Sequence, residues 1–209
     1  MALAVASYAE TNGHYPPAFV NGPDGKPWHS WRVLILPYLA QNDLFEEYRF
    51  SEPWDGPNNG QLAKRMPRIF AFHGTHNPAN ILTNYVAIVG EETAWPGSRS
   101  LLSTDIRDKL SQSILIVENQ GAKIPWMEPR DLSFGLMDFN LDHPLGISSP
   151  YQDASVVMMD GMVHRLKRNF LPETLRGLIT IRGGEKIISP ESGGWELLPD
   201  GRNHPLKSP

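Results

Sequence analysis

Eighteen glycines and nineteen prolines are spread along the whole of this 209-residue sequence, and no other feature limits the fold as much. Proline fixes φ and removes a backbone donor, while glycine frees φ, so a chain punctuated this evenly is rich in turns and loops. The two residues are dispersed rather than clustered. In addition, 40% of the chain is hydrophobic, with six Trp and eight Phe. That pattern indicates a loop-rich globular fold and not a disordered segment. A chain of this length buries roughly 70% of the surface it exposes when unfolded, so it needs no metal or disulfide staple. The formal net charge is -4 and there is no basic run, so no nucleic acid or anionic membrane surface is expected as a partner. Without cysteine the chain has no disulfide framework, thiolate zinc site or cysteine nucleophile. No stretch approaches the ~20 apolar residues of a membrane span. Met1 to Ala9 is apolar but lacks the basic flank and the length of a signal peptide.

Residues 2–10 are Ala- and Leu-rich and read as the end of a helix, with Asn12-Gly13 as its stop. An isolated helix of that length is marginal in water, so it packs on the domain or belongs to a longer helix. Residues 21–25 form a turn cluster. Ser30 is placed to cap a helix over 31–41 that Pro37 should kink, and Asp43 with Glu46 has the spacing of a capping box. Residues 51–60 read as loop and 61–65 as one helical turn. Short β-branched or aromatic runs at 69–72, 85–89 and 114–117 read as strands. Residues 156–166, two apolar runs around Asp160-Gly161, predict a hairpin with a two-residue type I′ turn. Leu171-Pro172 opens a helix to about Thr180. The expected organisation is one domain over 1–188 and a polar, Pro/Gly-rich tail over 189–209. With neither repeats nor βαβ alternation, the fold class is α+β with an antiparallel sheet.

Several segments, in this order, resemble the planctomycete pilin-like family known as domain of unknown function 1559. They are YAETNGHYPPAF (8–19), DGKPWHSWRVLILPYLAQNDLFEEY (24–48), EPWDGPNN (52–59), TNYVAIVG (83–90), PWMEPRDL (125–132), SVVMMDGMVHRL (155–166) and LPETLRGLITIRGGE (171–185). The resemblance implies a pilin- or pseudopilin-like fold, in which the second half of a long N-terminal helix packs on the sheet. The first half of that helix serves as export signal and membrane anchor. It also implies similarity to the pseudopilins of type II secretion, with no established enzymatic activity. On this reading residues 1–10 are a helix stub whose anchor is absent from the chain, and Leu3, Val5 and Tyr8 are partly exposed. The full-length protein is then extracytoplasmic and envelope-associated, and other pilin-like subunits are partners through the helix. The sequence departs from the family in two ways. The family spaces a His nine residues before Asp-Gly, whereas sixteen residues separate His143 from Asp160 here, with seven extra near 146–153. The Cys-Pro segment that often precedes TNY is also missing.

Candidate sites each have a plainer alternative. Asp138, Asn140 and Asp142 alternate as oxygen ligands of calcium do in a loop, although the glycine and glutamate of an EF-hand are not at their positions. Otherwise they are solvated loop acids. His143, near Asp138, Asp142 and Asp153, is a candidate general base or a hydrogen-bonded loop histidine. His73 and His76, with Asn77, are two metal ligands without an evident third. Glu118 ends an apolar run, where a carboxylate either has a raised pKa or accepts neighbouring backbone N–H groups. Trp28, Trp31, Trp54, Trp95 and Trp126 would form a glycan- or partner-binding surface if exposed, and otherwise cover the sheet. No nucleotide-binding or nucleophile-elbow motif occurs. The expectation is therefore a non-catalytic module with no catalytic residue and no cofactor other than the candidate calcium. The alternative is an extracytoplasmic glycan- or calcium-binding module, and less favoured is a hydrolase using His143.

Overall fold

The computed structural model describes residues 1–72, 77, 79–185, 187–188 and 196–197. Helix α1 (Ala2–Asn12) stops where the sequence places its stop. Gly13 adopts φ 77° and its N–H bonds Ala9 O, a left-handed cap that favours glycine. Strands β1 (Phe19–Asn21) and β2 (Pro27–Ser30) make a hairpin around the 21–25 turn cluster. Ser30 Oγ then accepts the Arg32 N–H at 3.3 Å and caps α2 (Trp31–Leu34). Pro37 does more than kink the expected 31–41 helix. It separates α2 from a 3-10 turn, Leu36–Leu39, closed by Ala40 at φ 55°. Helix α3 (Asn42–Glu47) starts one residue before Asp43 and the expected capping box does not form, because the cap position falls on Gln41. Helix α4 (Asn59–Leu62) runs into a 3-10 turn, Ala63–Arg65.

Eight strands follow: β3 (Leu82–Thr83), β4 (Tyr85–Val86), β5 (Ile88–Val89), β6 (Ile114–Glu118), β7 (Ile124–Pro125), β8 (Leu132–Ser133), β9 (Ala154–Met158) and β10 (Val163–Leu166). Next comes helix α5 (Pro172–Ile179), with proline in its first turn, and then β11 (Ile187–Ile188), which pairs antiparallel with β12 (Glu196–Leu197). The central sheet has four antiparallel strands in the order β10-β9-β6-β4. The fold is α+β, with an N-terminal helix and antiparallel sheets. Of the segment 189–209, only 196–197 lie among the described residues.

Three local readings change. Residues 69–72 are not a strand: Pro67 starts a 3-10 turn, Arg68–Phe70, and the Phe72 N–H is taken by Asn84 Oδ1 at 3.0 Å. Residues 85–89 are two strands, because the Ala87 N–H between them bonds Asp131 Oδ1 at 2.8 Å. Beyond that break, β5 pairs parallel with β8. The hairpin joins β9 and β10 through a three-residue loop, 159–161, between the bonded residues Met158 and Met162. Within that loop only Gly161 has positive φ, 86°, which is the geometry of a turn followed by a glycine bulge rather than type I′.

The sheet separates two apolar clusters. On one side Val86, Val117, Ala154, Val156 and Met158 pack with Leu175, Leu178 and Ile179 of α5. On the other, Ile116 joins Trp31, Ile35, Leu36 and Trp95, with Ala4 and Val5 of α1. Tyr8 meets Tyr38 edge-on at 5.9 Å. Val5 is therefore in the core, contrary to the sequence reading, because α1 settles against the 3-10 turn that Pro37 creates. Leu3, in contrast, is 81% exposed. Val5→Ala should cost about 2 kcal/mol in urea unfolding and Leu3→Ala less than about 0.5 kcal/mol.

Candidate functional site

The most constrained polar group in the molecule joins two segments that are far apart in sequence. The Arg32 side chain is fully buried and that of Asp131 is 2% exposed. Arg32 Nη2 donates to Asp131 Oδ1 and also, at 3.1 Å, to Tyr85 O. Its Nη1 donates to Ser30 Oγ at 3.0 Å. Asp131 also accepts the Trp31 indole N–H at 3.2 Å and the Ala87 N–H at 2.8 Å. Burial pushes the Asp131 carboxyl up and the Arg32 guanidinium down, and each is held back by the other's charge. With every polar atom directed at the protein, the pair is a brace and not a reactive centre.

The sequence-predicted residues are placed as follows. Asp138 Oδ1 accepts from Asn140 N at 2.7 Å and from Asn140 Nδ2 at 2.9 Å, and the first of these bonds leads in lowering its pKa. Asp142, at φ 63°, is ion-paired with Arg168 at 2.8 Å. These three candidate calcium ligands share one loop, in which Asp138 is bonded to Asn140 and Asp142 to Arg168. Among the described residues, no group of three or more His, Asp or Glu side chains could hold a metal ion. His143 accepts the Leu145 N–H through Nδ1 at 3.3 Å, and its Nε2 lies 4.0 Å from Asp138 Oδ2. Glu118 Oε2 accepts the Ser155 N–H at 2.8 Å, bracing β6 against β9. His73 and His76 lie outside the described residues.

Trp31, Trp95 and Trp126 are fully buried, and their indole N–H groups bond Asp131, Leu115 O and Ala63 O. Trp28 and Trp54 are half-buried. In the EPWDGPNN segment, Glu52 accepts Asn58 Nδ2 and the N–H groups of Asn58 and Asn59, the Asn58 side chain leading the fall in its pKa. That carboxylate caps α4. His29, 3% exposed, bonds the Tyr48 hydroxyl through Nδ1 at 2.9 Å beside Phe50. Burial lowers the His29 pKa and raises that of Tyr48.

The open surface lies on the α1 side of the sheet. A groove of about 400 Å³ is lined by Leu3, Tyr85, Glu118, Val157 and Val163, and reaches Ile69. Ile69 also lines a second groove of about 510 Å³ whose rim carries Lys64, Arg65 and Arg68. Burial and the nearby Glu118 and Tyr151 push the Tyr85 hydroxyl up to about 12, so it stays protonated in the groove. Arg65 pairs with Glu47 at 2.6 Å, whereas Lys64 and Arg68 are exposed and have no partner among the described residues. The sequence gives no signal for this surface, because its lining comes from α1, the turn after Pro67 and all four strands of the sheet.

Residues 1–94 match the model of a family described as protein of unknown function (DUF1559), the family that the sequence resembles. No curated protein matches the chain, and no solved structure does. The matched span holds α1, Arg32, the Glu52 cap, the basic rim and β3 to β5. Among the described residues, no helix is long and apolar enough to cross a membrane.

Two predictions follow from these environments. Asp131→Ala, which leaves Arg32 buried and unpaired, should cost about 3–5 kcal/mol, whereas Arg32→Met combined with Asp131→Leu should cost markedly less. Both are read from urea midpoints. His29 binds its proton less readily folded than unfolded, where the ordinary value is 6.5. Its contribution to stability is therefore present above that pH and lost as pH falls below it. The urea midpoint should drop more between pH 7.5 and pH 5.5 for the native chain than for His29→Gln, readings taken on either side of about 6.5.

Proposed function

We propose that this chain is a non-catalytic, pilin-like interaction module of the cell envelope that meets neighbouring subunits through α1 and the surface beside it. The observation that carries this reading is the half-sunk state of α1. Ala4 and Val5 are anchored in the core while Leu3, 81% exposed, stands at the edge of the groove. A helix held firmly on one side with a bare leucine on the other suits a contact between chains. The side chains best equipped for chemistry point the same way: Glu118 and His143 accept backbone N–H groups. Asn119 uses its amide to hold Pro144 O and Gly146 O. The family match over 1–94 is to proteins of unknown function; the extracytoplasmic position in this proposal comes from the resemblance of the sequence segments to pilin-like proteins.

The test uses the gene product in its native cells, with a photo-crosslinking amino acid at position 3 or at position 5. Protease added to intact spheroplasts should degrade the protein. Position 3 should crosslink to a neighbouring subunit, and position 5, facing the core, should not. A product protected until the cells are lysed, with no crosslink from position 3, would overturn the reading.

A further inference from the structure

The groove has a counterpart in a loop whose base packs in the cluster on the other side of the sheet. In the loop 136–145, Leu136 is 81% exposed and Leu145 is 58% exposed. The loop closes on itself between them, the Asp138 N–H bonding Leu145 O at 3.3 Å. The Asp138 carboxylate stands between them in sequence, with Oδ1 tied to Asn140 and Oδ2 no nearer than 4.0 Å to His143 Nε2.

The loop is a rigid knob. Asn119 Nδ2 donates to Pro144 O at 3.0 Å and to Gly146 O at 2.6 Å, and Asp142 N–H bonds Ile147 O at 2.9 Å. Gly146 lies so close to Asp138 O that a Cβ there would be 2.2 Å away, so only glycine lets the two ends of the loop meet. The base of the knob, with Met137, Phe139, Leu141 and Ile147, belongs to the cluster on the α5 side of the sheet, whereas the groove lies on the α1 side. The knob presents bare leucines beside a carboxylate. The groove presents bare Leu3, Ile69 and Val163, and the second groove that adjoins it at Ile69 adds two cations without a partner among the described residues, Lys64 and Arg68. Apolar meets apolar and negative meets positive.

We infer that the groove is occupied by the 136–145 knob of a second copy of this chain. Because the two surfaces differ, the contact is head-to-tail: each added copy offers a fresh groove and a fresh knob, and growth stops only if the chain of copies closes into a ring. This deepens the subunit-contact reading above and rests on it, and it names the partner. Two leucines and a carboxylate make a small interface, so association should be weak and depend on concentration.

Sedimentation of the intact chain from about 10 μM to about 1 mM should show a weight-average mass that rises past that of a dimer, and the rise should shrink in high salt. Ile69→Asp blocks the groove and Leu136→Asp blocks the knob. Both positions are exposed, so both variants should keep the native circular dichroism spectrum and each should stay monomeric. Mixed in equal amounts they should form a dimer and nothing larger, since one intact knob then finds one intact groove. Arg68→Glu should weaken assembly at least tenfold. A chain monomeric up to about 1 mM, a Leu136→Asp variant that still assembles, or a mixture that remains monomeric would each overturn the inference. If those results came with crosslinking from position 3 in cells, the subunit-contact reading would stand and only the self-partner would be lost.

Discussion

The fold is organised around a buried ion pair, Arg32 with Asp131, that a simple energy argument would not place there. Burying two charges costs several kcal/mol per ion before their attraction is counted, so such a pair adds little net stability over an apolar substitute. Its consequence is geometric. Asp131 takes the N–H of Ala87, which would otherwise continue a strand, and Arg32 takes the carbonyl of Tyr85. One residue pair thus ends β4, starts β5 and turns β5 toward β8. The same carboxylate holds the Trp31 indole, whose ring lies 4.9 Å from Trp95. An apolar pair of equal volume would fill the space without telling the backbone where to break.

From that break follows the unequal covering of the sheet. With β5 diverted, β4 forms the edge of the four-stranded sheet, whose strand β9 has a buried face, Ala154, Val156 and Met158, and a half-buried face, Ser155 and Val157. The buried face meets α5. The other face is covered only in part by α1, because α1 is drawn toward the turn at Leu36–Leu39. The strip that remains open is the groove, with Tyr85 and Glu118, cross-strand partners, on its floor. An uncovered strip whose floor is fixed by ladder bonds is a preformed surface, and binding there requires little ordering of the receptor.

Elements set by a few adjacent residues were legible in the sequence. The Gly13 stop, the Ser30 cap, strand β6 and the start of α5 at Pro172 all depend on neighbours within a turn. What required tertiary information was misread. Residues 69–72 have strand-like side chains, but Pro67 and the claim of Asn84 on the Phe72 N–H decide otherwise. Asp160-Gly161 correctly marked a hairpin, but the loop length depends on where Met158 meets Met162. Arg32 and Asp131 lie 99 positions apart, and nothing in either neighbourhood announces the other. The groove was illegible for the same reason. It is a junction of separate segments, and Val5, expected to be partly exposed, proved to be a core residue on the side of α1 turned away from it.

The stretch before β9 shows how such a junction is built. In residues 146–153, Ile147, Ser148 and Ser149 are buried. Ser148 gives its N–H to Glu118 O and takes the Gln120 N–H on its hydroxyl. Asn119, between them, bonds Pro144 O and Gly146 O with its amide nitrogen and the N–H groups of Gly121 and Ala122 with its oxygen. Residues 146–149 are thus laced into the end of β6. The residues just before them close into the tight loop carrying Leu136 and Leu145. The β9–β10 hairpin follows directly, and the loop makes a projection whose base packs on the α5 side. The same Glu118–Asn119 pair therefore supports the groove through its first member and the knob through its second, so the two surfaces are held in a constant relation by one rigid strand end.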